Sequence, residues 1–122
     1  MGMSSFETSG ETVQERNDNS SGEERELVVH VDAIIEDLIP GFLQNRKGDV
    51  TSIRDALERD DFETLSELGH DIEGTSGAFG FRGLALIGRS LRLAVTEHDG
   101  REVHRLADEL ANYLDRVKVV FD

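Results

Sequence analysis

The sequence predicts an all-α protein: an antiparallel four-helix bundle with a short additional N-terminal helix. Three observations lead there. Apolar residues recur at steps of three and four through most of residues 32–120, the spacing of helices with one buried stripe. The breaks between these runs are short and carry Asp, Gly or Pro, residues that cap helices or turn the chain. No segment shows the apolar–polar alternation of a half-buried strand. The 122 residues suit one domain with a compact core of modest size.

Residues 1–26 form a separate compositional zone, rich in Ser, Gly, Glu and Asn, with Phe6 and Val13 as its large apolar side chains. Such a segment buries too little surface to offset the entropy of ordering it, so it is expected to be a flexible acidic tail. The folded domain is expected over 27–122, order beginning at 27–31. Residues 32–38 read as a short helix with Ile34, Ile35 and Leu38 on one side. Pro40 pushes Ile39 away from the helical region and itself suits the first turn of the next helix. That helix is expected from Pro40 to about Arg59, with Phe42, Val50, Ile53 and Leu57 as its stripe. A break near Gly48, with Asp49 capping a new helix, is the alternative. Asp60 or Asp61 can cap the helix that follows.

That helix organises the chain. Residues 62–81 read FETLSELGHDIEGTSGAFGF. At about 100° per residue, Phe62, Leu68, Gly69, Ile72 and Phe79 fall within roughly 60° of Leu65, whereas His70 falls about 140° away. His70 therefore points to solvent, with Ser66 and Glu67 one turn back and Glu73 and Gly74 one turn on. Gly77 lies two turns on, near the same face. Each glycine costs a helix about 1 kcal/mol relative to Ala. Glycines beside an exposed imidazole remove side-chain bulk and let a partner's backbone or active site come close.

Gly80 and Gly83 permit the turn that ends this helix. The next is expected over 84–97, with Leu84, Ile87, Leu91, Ala94 and Val95 inward and Arg89 and Arg92 on its polar side. His98-Asp99-Gly100 is a turn signal. The last helix carries Val103, Leu106, Leu110, Tyr113, Val117 and Val120 in alternating steps of three and four, the spacing of coiled-coil-like packing within a bundle.

Composition narrows the function. A net charge of −13 argues against nucleic acid and anionic membrane as partners. The absence of cysteine rules out disulfides and thiolate chemistry. No apolar run approaches the roughly 20 residues of a membrane span, and the N-terminus lacks the basic and apolar regions of a signal peptide. A cytoplasmic location is expected. The four histidines form no HxxxH or HExxH pattern, so no metal site is expected. No phosphate-binding loop or kinase-like nucleotide motif is present. A phosphoryl group would therefore have to arrive from another protein.

His70-Asp71-Ile72-Glu73-Gly74-Thr75-Ser76-Gly77-Ala78-Phe79-Gly80-Phe81 resembles the signature of histidine-containing phosphotransfer (HPt) domains, His-x-x-Lys-Gly-small-small-x-x-x-Gly. The resemblance extends upstream through Leu38-Ile39-Pro40-Gly41-Phe42-Leu43 and downstream to about His98. It implies a histidine phosphotransfer protein of a two-component phosphorelay. His70 would accept a phosphoryl group, through Nε2, from a receiver-domain aspartate or a histidine kinase module and pass it on. Ser66, Glu67, Glu73, Gly74 and Gly77 would form or support the docking face. The chain would bind no cofactor itself, with Mg²⁺ expected in the partner receiver, and would act as a monomeric intermediate rather than a stand-alone kinase. The departure is Glu73, where the pattern has Lys: a carboxylate there repels a phosphate. The alternative reading is accordingly a non-catalytic HPt-like interaction module in which Glu73 weakens or abolishes transfer. A helical oligomerisation domain with an incidental His70 is a third.

Overall fold

A computed structural model of the chain describes residues 26–122. The tail expected over 1–26 thus lies, but for Glu26, outside the described residues. The chain runs through strand β1 (Leu27–Val31), a 3₁₀ helix (Ala33–Leu38), helices α1 (Ile39–Glu58), α2 (Phe62–Ala78), α3 (Arg82–Thr96) and α4 (Gly100–Arg116), and strand β2 (Val117–Phe121). The protein is mostly helical, as its periodicity predicts. Helix α1 packs on α2 and α4, and α3 packs on the same two. Ile53, Leu65, Ile72, Phe81, Leu84 and Leu91 are among the side chains fully enclosed between them, each contributing about 1.5–3 kcal/mol by leaving water.

The two strands correct the expectation that the chain has none. They pair in parallel, Leu27 opposite Val117 and Val31 opposite Phe121, and helix α4 stops at Arg116, so Val117 and Val120 do not belong to it. The reason is local stiffness. LVVHV and VKVVF are dense in valine, whose branched Cβ loses freedom in a helix and packs well on a pleated surface. The spacing of Val117 and Val120 imitates a helical stripe. Only the distant partner segment reveals the strand. Val31 is buried, and Val29, Val117, Val119 and Phe121 pack against the core. Asp122 closes the ribbon: its amide donates to the Val31 carbonyl at 2.9 Å, and its carboxylate meets His30 Nδ1 at 3.0 Å.

Three other expectations change in detail. Pro40 does not push Ile39 out of the helical region: Ile39 has φ −71° and ψ −43° and begins α1. The segment before α1 is a 3₁₀ helix capped by Asp32, whose side chain accepts from the Ile34 amide at 3.0 Å. Its apolar stripe is not buried, Ile34 being 87% and Leu38 54% exposed. Helix α1 runs unbroken through Gly48. Asp49 caps nothing and instead meets Arg46 Nε at 2.7 Å.

The three joints between the long helices share one design. The residue after each C-cap, Asp60, Gly80 or His98, adopts positive φ (58°, 87° and 52°). Its amide and the next one bond back into the last turn: Asp60 to Leu57 and Asp61 to Ala56, Gly80 to Gly77 and Phe81 to Ser76, His98 to Val95 and Asp99 to Ala94, all at 2.8–3.1 Å. These are Schellman closures, which satisfy carbonyls a helix end otherwise leaves open. The following residue then starts the next helix. Asp61 accepts from the Thr64 amide and Asp99 from the Glu102 amide, each at 3.1 Å.

Candidate functional site

Helix α2 is fixed at both ends. At the N-terminus, Asp61 also accepts from the Thr64 hydroxyl at 2.7 Å. The Thr64 hydrogen bonds, with Arg59 nearby, hold the Asp61 carboxyl below the ordinary carboxylate range. At the C-terminus, Phe79 and Phe81 both lie 5.0 Å from the Phe42 ring of α1, Phe79 edge-on and Phe81 tilted. Between these anchors Leu65, Gly69, Ile72 and Ser76 face inward and are buried. The opposite side, with His70, faces solvent.

The rotation of α2 also depends on an unusually close helix crossing. A Cβ built at Gly88 of α3 would lie 2.5 Å from the Glu73 amide nitrogen and 2.9 Å from the Gly69 carbonyl oxygen. One built at Gly69 would lie 2.9 Å from Arg92 Cγ and 3.1 Å from both the Arg92 nitrogen and the Gly88 oxygen. Real Cβ atoms essentially never come as close to backbone as one at Gly88 would, so that position requires glycine, while at Gly69 a side chain would force the Arg92 stem to shift and the α3 backbone to give by a few tenths of an ångström. The crossing lays the stem of Arg92 against the residue that precedes His70.

His70 sits in a shallow open depression lined by Glu63, Ser66, Glu67, Asp71 and Arg92. Two arginines from neighbouring helices hold the carboxylates around it. Arg92 places Nε and Nη2 each 2.7 Å from Glu73 Oε1. Arg46 of α1 is only 5% exposed and reaches Asp71 Oδ2 at 3.1 Å, the Thr75 hydroxyl and Asp49. Its guanidinium also lies 5.3 Å from the Phe42 ring centroid, a cation–π placement. Burial pushes the Asp49 carboxyl up from the ordinary carboxylate range, against the pull of Arg46 beside it.

The structure places the sequence-predicted site residues as follows. Ser66, Glu67 and His70 are exposed and line one depression. Glu73 is half-buried and borders it through its ion pair with Arg92. Gly74 and Gly77 are exposed further along α2. A Cβ at Gly74 would meet nothing within 4 Å, and one at Gly77 would meet only Ala85 Cβ, at 4.0 Å. Packing thus accounts for Gly69 and Gly88 but not for Gly74 or Gly77. Sequence reasoning assigned no role here to Arg46 or Arg92. The usable signal was the pairing of small residues, Gly69 and Gly88, on two buried stripes, which marks a close crossing and brings the α3 side chain at 92 to this face. The other histidines have partners of their own: His98 stacks on Phe62 at 4.7 Å, and His104 Nδ1 lies 3.7 Å from Asp108. Among the described residues no group of three or more acidic or histidine side chains is placed to hold a metal ion, and no helix is long and apolar enough to cross a membrane.

Comparison with known proteins adds one finding. A family model described as Hpt domain matches residues 37–119, which takes in the last two residues of the 3₁₀ helix, all of α1 to α4 and the first three residues of β2. No curated protein and no solved structure matches the chain. Membership ties the chain to histidine phosphotransfer in phosphorelays, in which such domains engage receiver and kinase domains. A match over most of the folded part, centred on a helix that exposes a single histidine, makes the chain a member of the Hpt domain family.

Proposed function

We propose that the protein accepts a phosphoryl group on His70 from a phosphorylated receiver-domain aspartate, or from a histidine kinase module, and hands it to a second receiver. One observation carries this reading. His70 stands exposed on α2, and the two glycines beyond it, Gly74 and Gly77, have no packing role inside the fold. Space is kept free on the face a partner's active site must reach. The platform is read as an antiparallel four-helix bundle, supported by the closed ring of helix contacts. The working state is read as a cytoplasmic monomer.

Neutral imidazole is the attacking form. The Nε2 lone pair forms the N–P bond in line as the P–O bond to the donor carboxylate breaks, and that carboxylate leaves with the electron pair. The imidazole proton stays on Nδ1, and the reverse step restores both partners. Mg²⁺ bound by the receiver would offset charge on the phosphate oxygens. This chain contributes a rigid mount for the nucleophile, so positioning is its main share of catalysis.

The non-catalytic alternative rests on Glu73. Its carboxylate is engaged by Arg92 at 2.7 Å, which weakens the objection that it repels phosphate. Incubation with phosphorylated receivers from the same genome tests the proposal: an acid-labile, base-stable label should appear at His70. A label at another residue, or none with any receiver, would remove it.

Gly77→Leu probes the open face. The new side chain adds bulk where a partner approaches, so transfer should slow about tenfold, or roughly 1.4 kcal/mol. Stability should hold or rise, since Leu is favoured over Gly in a helix by about 0.8 kcal/mol. Unchanged transfer kinetics would show that partners do not use this part of α2.

A further inference from the structure

We propose that Arg92 is the cation that meets the phosphoryl group on His70, and that Glu73 is the residue that holds it in place. The inference rests on the phosphotransfer reading above and deepens it.

The depression around His70 contains Glu63, Glu67 and Asp71, and Arg92 is the one arginine or lysine among the described residues that line it. A phosphoryl group brings further negative charge, spread over its equatorial oxygens during transfer. Without a local cation the group would face carboxylates alone. Arg46 already answers Asp71, from a buried position on α1. Arg92 is half-exposed at the rim, where an incoming group can reach it.

The geometry of the pair matters as much as its charge. Arginine has five N–H donors in a planar fork. Nε and Nη2 are turned toward Glu73 Oε1, which leaves the Nη1 donors outside the pair. Planar forks of this kind suit phosphate oxygens. The stem is fixed as well, because the Gly69–Gly88 crossing lays Arg92 Cγ over Gly69, next to His70. Glu73 anchors the head and Gly69 seats the stem. The pattern's lysine at position 73 is thus replaced by a carboxylate that holds an arginine from the next helix.

A plain surface ion pair predicts something different. Exposed pairs contribute little to stability, and a Glu73 acting only on phosphate would be a repeller. The two ideas give opposite signs for Glu73→Ala. Loss of an anchor slows phosphoryl acceptance, whereas loss of a repeller speeds it.

The test uses the whole chain with a phosphorylated receiver as donor. It measures acceptance rate at His70 and the ³¹P titration of the phosphohistidine. Arg92→Ala should slow acceptance at least about tenfold, given what single donors contribute at such sites. It should also raise the pH at which the phosphoryl group takes its second charge, because a cation favours the dianion. Arg92→Lys should recover part of both effects. Glu73→Ala should slow acceptance in the wild-type background and change little once Arg92 is gone. Wild-type kinetics and an unshifted titration for Arg92→Ala would overturn the proposal while leaving phosphotransfer intact. Faster acceptance by Glu73→Ala would overturn the anchoring role. Absence of any label on wild-type His70 would overturn both this inference and the reading beneath it.

Discussion

His70→Gln is expected to abolish acid-labile labelling by every phosphorylated receiver while leaving the fold intact. Glutamine has no nucleophilic nitrogen at neutral pH, so loss of the step should be complete. The structural cost should be small. His70 is exposed on α2, the buried stripe of that helix runs through Leu65, Gly69, Ile72 and Ser76 instead, and exposed substitutions usually change stability by less than about 0.5 kcal/mol. Thermal unfolding monitored beside the labelling assay keeps the two effects apart. Residual label in the variant would transfer the acceptor role to His30, His98 or His104. The first two already lie against Asp122 and Phe62, and His104 lies near Asp108.

Gly88→Ala should cost more stability than alanine at any other glycine among the described residues. The new Cβ would sit 2.5 Å from the Glu73 amide nitrogen and 3.0 Å from Glu73 Cα. Both are backbone atoms of a packed helix, so rotamer changes give no relief and α2 must move away from α3. Overpacking of this kind typically costs 1–3 kcal/mol, occasionally more, against a gain of about 1 kcal/mol from replacing Gly inside a helix. A net loss of up to roughly 2 kcal/mol would lower the melting midpoint by up to about 8–16 °C in a domain of this size. Gly74→Ala is the control. Its Cβ would meet nothing within 4 Å, so it should stabilise by up to about 1 kcal/mol. Equal melting midpoints for the two variants would mean that the α2–α3 crossing is not as close as described.

Much of this was legible in the sequence because helices announce themselves locally. The stripe of α2 and the outward direction of His70 follow from a constant rotation per residue, and the α2 cap comes from the Asp60-Asp61 junction expected to supply it, as Asp61. The ribbon of β1 and β2 was not legible, since Val117 and Val120 fit a helical spacing and the pairing with Leu27–Val31 is non-local. The electrostatics of the site escaped for the same reason. Asp71 and Glu73 read as isolated acids beside His70, while their partners Arg46 and Arg92 come from other helices. Sequence neighbours show which charges share a helix face, but not which charges reach that face from across a crossing.

The three closed joints between helices bear on how an encounter with a partner proceeds. Each spans three residues and has its backbone amides bonded back into the preceding turn, so none is built as a hinge about which α2 could swing. On the proposed function, this side of the encounter is then a finished shape. Little backbone freedom remains to be lost on this side of the interface, and the frequency of productive collisions depends on orientation and on the field of a strongly acidic molecule. On the proposed function, discrimination among receivers rests on the relief and charge of this face.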